Sequence, residues 1–460
     1  MTLWSGRFDS TPDPDAFDFG ISFGFDRALF EDDVTGSLAW ADALAAAGVL
    51  SGEDAGAIRR GLQEILDAGR RDPAFVGGPD EDVHSFVERK LVERIGDAGR
   101  RLHTGRSRNE QVSVDLRRYL RRRIPLLQQA VARLVATCAD QAATAGVTMM
   151  PAYTHLRRAQ PVLVAHFFLS HAAALRRDHT RLGAAAEEAD ALPLGSGAIA
   201  GTSYPIDTNA LARSLGFSRV VANSMDASSD RDFVAAFLCA ASIAMVHLSR
   251  IAEDFIIFTG EEHGFFELAD VSATGSSMMP QKKNPDPLEL VRGKTGRTIG
   301  YLTGWLATMK GLPSGYNKDL QEDKEAVFGA EATLAASLTA TRAVLARLSL
   351  NAARTERAAS GLLLATDVAD YLVTRGMAFR RAHEVVGAMV RRLLAAGRDF
   401  SDLTADEWRA ASEVFGDDAP EAATALASVR ARRTPQSTNP EAVQSALDEC
   451  RTWLAGLPAR

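Results

Sequence analysis

Between Asp115 and Gln141 apolar side chains return at Leu116, Leu120, Ile124, Leu127, Val131, Leu134 and Cys138, a spacing close to the helical repeat. The pattern predicts one continuous helix from about Val112 to about Val147, with Pro125 able to kink it without ending it. At ~1.5 Å per residue such a rod is on the order of 50 Å long. Four further long helices are predicted: from Val162 to about Ala189, from Asp232 to about Thr259, from Asp286 to about Lys310, and from about Lys324 to Leu348. The one from Asp232 to about Thr259 is apolar almost all round, as a helix enclosed by others must be. No region shows sustained two-residue alternation. The expected fold class is therefore all-α: a long central helical bundle of about five helices over 106–355, flanked by smaller helical domains at 1–105 and 356–460.

Composition narrows the function classes. The chain has 460 residues, 46% hydrophobic and 24% charged, with a net charge of −7 and no long block of one sign, so neither nucleic acid nor an anionic membrane is an expected partner. No run approaches ~18 uninterrupted apolar residues, and nothing near Met1 has the order of a signal peptide, so a cytoplasmic location is expected. The cysteines Cys138, Cys239 and Cys450 are too few and too scattered for a disulfide framework or zinc cluster, and read as small buried hydrophobes. Six of the seven lysines lie between 282 and 324 in a chain that otherwise uses arginine. That points to a region needing compact ammonium groups.

The chemistry sits in the polar loops that join the rods. In Thr274–Pro285 a glycine, two serines, Lys282, Lys283 and Asn284 feed directly into a helix start at Asp286-Pro287-Leu288-Glu289, with Asp286 read as N-cap. Exposed N–H groups, the helix dipole and two lysines make an anion trap. The same field lowers the cost of a Ser276 alkoxide and of a dianionic carboxylate formed when a neighbouring carbon loses its proton. His155, flanked by hydroxyls in Tyr153-Thr154-His155-Leu156, is the natural proton carrier. Glu289 either orients it or only completes the helix cap. Arg106, Arg108 and Asn109, in HTGRSRNEQV at 103–112, suit a dicarboxylate. Tyr316, Lys318, Gln321 and Lys324 could grip the carboxylate and amine of an amino acid, or form a solvated helix face.

Two patterns are set aside. Gly195–Ala200 matches a dinucleotide fingerprint in letters, but no strand is expected before it. His166 and His171 are five apart without acidic partners, so no metal is indicated.

Geometry adds one inference. The 103–112 motif stands at one end of the first long helix and the 151–161 motif just past the other, so one chain cannot bring both to one small molecule. If they share a substrate, neighbouring subunits must supply them.

The loop GSSMMPQKKNP resembles the signature of the fumarase/aspartase superfamily of fumarate-releasing lyases. Together with Leu3–Phe8, HTGRSRNEQV, YTHLRRAQP and YNKDLQEDKE it is similar to the argininosuccinate lyase family, over most of the chain. The departures within these motifs are conservative, such as Glu110 where aspartate is common. The resemblance implies cleavage of L-argininosuccinate into fumarate and L-arginine by a homotetramer without a cofactor, each site drawing on three subunits. It further implies Ser276, His155, Lys282 and Glu289 as catalytic residues. Substrate contacts implied are Ser22, Asn109, Thr154, Asn284, Tyr316, Gln321 and Lys324, alongside Arg108 and Lys318. Which of Ser276 and His155 is base and which acid stays open, as do another fumarate-releasing lyase of adenylosuccinate or aspartate type and a non-catalytic, crystallin-like structural protein.

Overall fold

The computed structural model describes residues 13–458, so the Leu3–Phe8 motif lies outside the described residues. Five long helices dominate: α1 (Arg108–Ala145), α2 (Val164–Glu188), α3 (Asp232–Thr259), α4 (Asp286–Met309) and α5 (Asp323–Leu345). The fold is all-α with a few short strands, as the periodicity predicts. All seven apolar positions read from α1, Leu116 through Cys138, are buried, and Pro125 lies inside the uninterrupted 38-residue helix. At ~1.5 Å per residue α1 measures about 57 Å.

Contacts divide the chain into two compact units, each taking a stretch of all five rods. The first comprises the chain to Gln129, Thr180–Ile243 and Gly296–Ala335; the second comprises Ala130–His179, Ala244–Thr295 and Ala336 onward. In the first, Tyr119 of α1 meets Phe328 of α5 edge to face, Arg123 pairs with Glu331 at 2.5 Å, and Ser242 of α3 donates to the Thr298 carbonyl of α4. Helices Phe30–Ala46, Gly52–Arg71 and Val83–Ile95 pack there too, around Trp40, Ile58, Leu62 and Phe86. In the second unit Phe167 and Phe168 of α2 interlock with Phe255 of α3 and with Phe266 at centroid separations of 5.3–6.4 Å. A separate cluster, including Leu372, Met389, Phe400, Trp408 and Phe415, closes the carboxyl-terminal helices.

The structure corrects four local expectations. The segment around His155 is a hairpin, β1 (Met149–Thr154) against β2 (Arg157–Leu163), where no strand alternation is legible. Two prolines, one on each strand, and a bulge at Ala152/Tyr153 break the pattern. A two-residue parallel bridge, Ala191–Leu192 with Arg219–Val220, does precede the glycine-rich segment at 195. Asp286 is the first residue of α4, and its carboxylate takes the Thr274 hydroxyl at 2.6 Å in place of capping the helix. Cys239 is exposed on α3, while Cys138 and Cys450 are buried.

By length and composition α3 could cross a bilayer, its most apolar stretch having a mean hydropathy of 1.8. More than half of that stretch is buried inside the chain. Thr295 of α4 donates to its Met245 carbonyl at 3.1 Å, as in a core helix held by its neighbours.

Candidate active site

In the first unit, seven residues singled out from sequence line one cavity of about 190 Å³: Ser22, Arg108, Asn109, Tyr316, Lys318, Gln321 and Lys324. The chain reaches it from three directions. Ser22 opens the turn Phe23–Asp26 and donates to Asp26 at 2.6 Å, while Asp26 accepts the Val83 N–H. Arg108 and Asn109 begin α1. Lys318–Glu322 forms a short 3₁₀ turn before α5, and the Gln321 amide there donates to the Gly20 carbonyl at 3.2 Å. Lys324 is no solvated face. Its ammonium is 2.8 Å from Asp323, which also receives the fully buried Arg231 at 2.7 Å.

The opposite wall was not legible as a site. Asp26, Glu81, Asp82 and His84 line the same cavity. The only local signal was the acidic pair Glu81-Asp82 directly before a helix, and its plain reading is a cap: Asp82 does accept the Ser85 N–H at 2.7 Å. Burial opposes ionisation of Asp82, but His84 and Arg108 outweigh it and pull its carboxyl down to about 2. Burial raises Asp26 above the usual carboxylate range. Lys318 faces Glu81 at 3.5 Å, and Arg108 stands 3.7 Å from Asp82 and 3.9 Å from Glu88. The cavity lining therefore offers both ammonium and guanidinium groups and carboxylates, the complement of a zwitterionic amino-acid end.

Beneath it lies a charged cluster. His84 Nδ1 is 2.8 Å from Asp33 and 3.4 Å from Asp115, and Gln111 donates to Asp33 at 2.5 Å. Burial works against ionisation of Asp33, but His84 and Arg106 outweigh it and hold its carboxyl low; burial, with Asp33 and Asp32, pushes Asp115 well above its usual range. Asp33, His84 and Asp115 are close enough to suit a metal, yet Arg106 already supplies a counter-charge to both carboxylates.

Glu110, two residues past Arg108, is wholly buried and accepts N–H groups from Ser107 (3.0 Å), Gly195 (2.7 Å) and Gly197 (3.0 Å). Burial outweighs those donors and raises its carboxyl to about 7.

The remaining predicted residues belong to the second unit. His155 and Leu156 form the two-residue tip of the hairpin, both at positive φ (54° and 56°), a conformation that glycine or asparagine usually occupies. Strain of this kind is concentrated at functional sites. Thr154, immediately before the tip, is exposed. In the 274–285 loop the Ser276 hydroxyl oxygen accepts the backbone N–H groups of Met278 (3.2 Å) and Met279 (3.0 Å). Asn284 pairs across a short bridge with Thr274, and its amide donates to the Gly275 carbonyl at 3.4 Å. Lys283 is committed to Asp270 at 2.8 Å, whereas the exposed Lys282 ammonium has no ion-pair partner among the described residues. Glu289 stands 3.9 Å from Arg292, and among the described residues no hydrogen bond joins it to His155.

A lyase family model matches residues 6–300, and a model of the argininosuccinate lyase carboxyl-terminal region matches 362–430. The fold is shared with an EDDS lyase crystallised with formate, at a TM-score of 0.83 and 26% identity, covering 97% of this chain and 92% of that one. Fold and site thus define a carbon–nitrogen lyase of the fumarase/aspartase superfamily. Argininosuccinate lyases of Moorella thermoacetica and Desulforudis audaxviator are 49% and 44% identical, over 100% and 98% of this chain and 99% of each relative. The chain belongs to the argininosuccinate lyase family.

Proposed function

We propose that this chain cleaves L-argininosuccinate into fumarate and L-arginine by a two-step anti elimination, in the cytoplasm and without a cofactor. The observation that carries the proposal is the Ser276 hydroxyl, whose oxygen already receives two backbone N–H groups. Donors aimed at that oxygen favour its anionic form, so they make a serine a better proton acceptor than it is in water. Ser276 removes the proton from the succinyl carbon. Lys282, the cation of the same loop without an ion-pair partner among the described residues, and Asn284 stabilise the dianionic carboxylate that results. His155, supported by Glu289, assists proton transfer to the departing guanidino nitrogen. Thr154 contacts the succinyl end. The first-unit cavity takes the amino-acid end: Lys324, Gln321 and Tyr316 the carboxylate, with Ser22, Asn109, Lys318 and Arg108 completing the wall.

The active form proposed is a homotetramer with sites shared between subunits. Gly296, Gly300 and Gly304 repeat every four residues along α4, and a Cβ at any of them would meet open space. Leu290, Ile299 and Leu306 of α4 and Val246 of α3 are exposed. An apolar face with glycines this regular admits a helix from another copy at close range. The three-part division into 1–105, 106–355 and 356–460 is proposed on the same basis, with the middle part as the oligomerisation core.

A coupled assay with argininosuccinate, adenylosuccinate and aspartate tests the substrate, since fumarate must appear only with the first. Turnover of adenylosuccinate or aspartate instead would select the runner-up lyases, and no turnover at all the crystallin-like reading. Mixing inactive His155→Asn and Ser276→Ala variants tests the shared site. Recovered activity is expected; none after verified subunit exchange would remove the composite-site proposal.

A further inference from the structure

The glycine-rich segment 195–201 opens no helix, the next one beginning at Thr208, so its glycines serve something other than a phosphate. Gly195, Gly197 and Gly201 all have positive φ (104°, 59° and 89°). A Cβ on Gly195 would come within 2.5 Å of Thr208, and one on Gly197 within 2.6 Å of the Gly201 carbonyl. This backbone shape, open only to glycine, turns the N–H groups of 195 and 197 onto one oxygen of Glu110. The other oxygen holds the Ser107 N–H at the start of α1. Three donors thus converge on one buried carboxylate from two pieces of chain.

The same segment touches the amino-acid cavity at two places, Asn109 and the chain just before Tyr316. On one side the Asn109 amide, which lines the cavity, donates to the Ala198 carbonyl at 3.4 Å. On the other, Ile199 lies so close to Gly315 that a Cβ there would be 2.9 Å from its Cδ1. Gly315 immediately precedes Tyr316, also a cavity residue, and its carbonyl accepts the Asn317 amide at 3.2 Å. Gly105 is pressed on Tyr204 and Thr202 in the same way, leaving 2.5 Å for a Cβ.

We infer that Glu110 and the segment 195–201 form a brace that fixes the separation of Asn109 from Tyr316, and so sets the affinity of the site for the α-amino-acid end of its substrate. Glu110 is a positioning residue: its oxygens are spent on backbone N–H groups. The inference rests on the proposed reading of the cavity as the amino-acid end.

The test compares wild type with Glu110→Gln, Glu110→Asp and Gly197→Ala at pH 8, and with Gln321→Ala as a direct-contact control on the far wall. Inhibition constants are measured for L-arginine, which carries the amino-acid end, and for succinate, which carries only the dicarboxylate. Glutamine can accept from only one of the two directions, so Glu110→Gln should weaken arginine about tenfold, roughly the loss of one well-placed hydrogen bond. Succinate should stay within about twofold, and KM should rise more than kcat falls. Gly197→Ala, which distorts the brace from the loop side, should do the same, and Glu110→Asp should restore much of the affinity. Unchanged arginine binding in Glu110→Gln and Gly197→Ala, with binding lost in Gln321→Ala, overturns the brace and leaves the cavity reading standing. Unchanged binding in Gln321→Ala overturns both. Equal weakening of arginine and succinate reduces the segment to a structural part. If Glu110→Gln does not fold, Gly197→Ala decides alone; if neither folds, the inference falls.

Discussion

The two chemical regions of this chain are built in opposite ways. The proposed amino-acid cavity of the first unit is largely assembled: Lys318 faces Glu81, Arg108 stands by Asp82, Lys324 is paired with Asp323, and Gln321 reaches the Gly20 carbonyl across 301 positions. The Ser276 loop and the hairpin tip of the second unit are open, with Lys282 and His155 exposed. A preorganised cavity suits recognition, whose energy comes from groups already in place. A half-buried serine and an exposed histidine cannot exclude water by themselves, so chemistry there requires further surface, which the proposed neighbouring subunits provide. Substitutions of the paired charges in the first region should therefore cost stability and binding together, and of the reactive side chains in the second turnover alone.

The strongest attempt to break that contrast is Ser276→Ala, with His155→Asn beside it. Each should lower turnover by at least ~10²-fold, the scale of a lost proton-transfer group, with an unchanged melting temperature and molecular mass. Near-full activity in Ser276→Ala would end the mechanistic assignment.

Next in size is Lys324→Met in the finished region. It leaves the wholly buried Asp323 with Arg231 alone, and breaking a buried pair typically costs ~3–5 kcal/mol. A clear drop in denaturant midpoint together with a raised KM is expected; a purely kinetic effect would erase the distinction between the regions.

Two buried carboxylates sharpen it further through pH. Glu110 is raised to about 7 when folded from an ordinary value of 4.5, so the folded state holds its proton more tightly. Its contribution to stability is full below pH 4.5 and is lost as pH rises through about 7. Asp82, held at about 2, behaves in reverse: its contribution is present above its ordinary 3.8 and lost as pH falls through about 2. At ~1.4 kcal/mol per pKa unit, the Glu110 effect is of order 1–3 kcal/mol. Thermal melts between pH 5 and 8 should lose that slope in Glu110→Gln; an identical slope in the variant would contradict the assignment.

The smallest effect belongs to the hairpin tip. Leu156 is exposed and at positive φ, so Leu156→Gly removes strain of ~1–2 kcal/mol, partly offset by the chain entropy of glycine. A slight rise in melting temperature is expected, and a fall would mean that the leucine is held by contacts.

Much of this protein follows from local pattern. Helical periodicity alone delimits five rods to within a few residues, because each apolar stripe must find cover whatever covers it. The loops declare their chemistry by composition, so Ser276, Lys282 and His155 stand out before any fold is known. The prolines of the hairpin hide its strands, and the acidic wall at Asp26, Glu81 and Asp82 looks like ordinary capping. Tertiary structure alone decided which motifs meet. Gln321 reaches Gly20 across 301 positions and Glu110 gathers Gly195 across 85, contacts that leave no periodic trace in either partner. Periodicity records what a segment needs from its surroundings, whereas only the packed chain determines which distant residue answers that need.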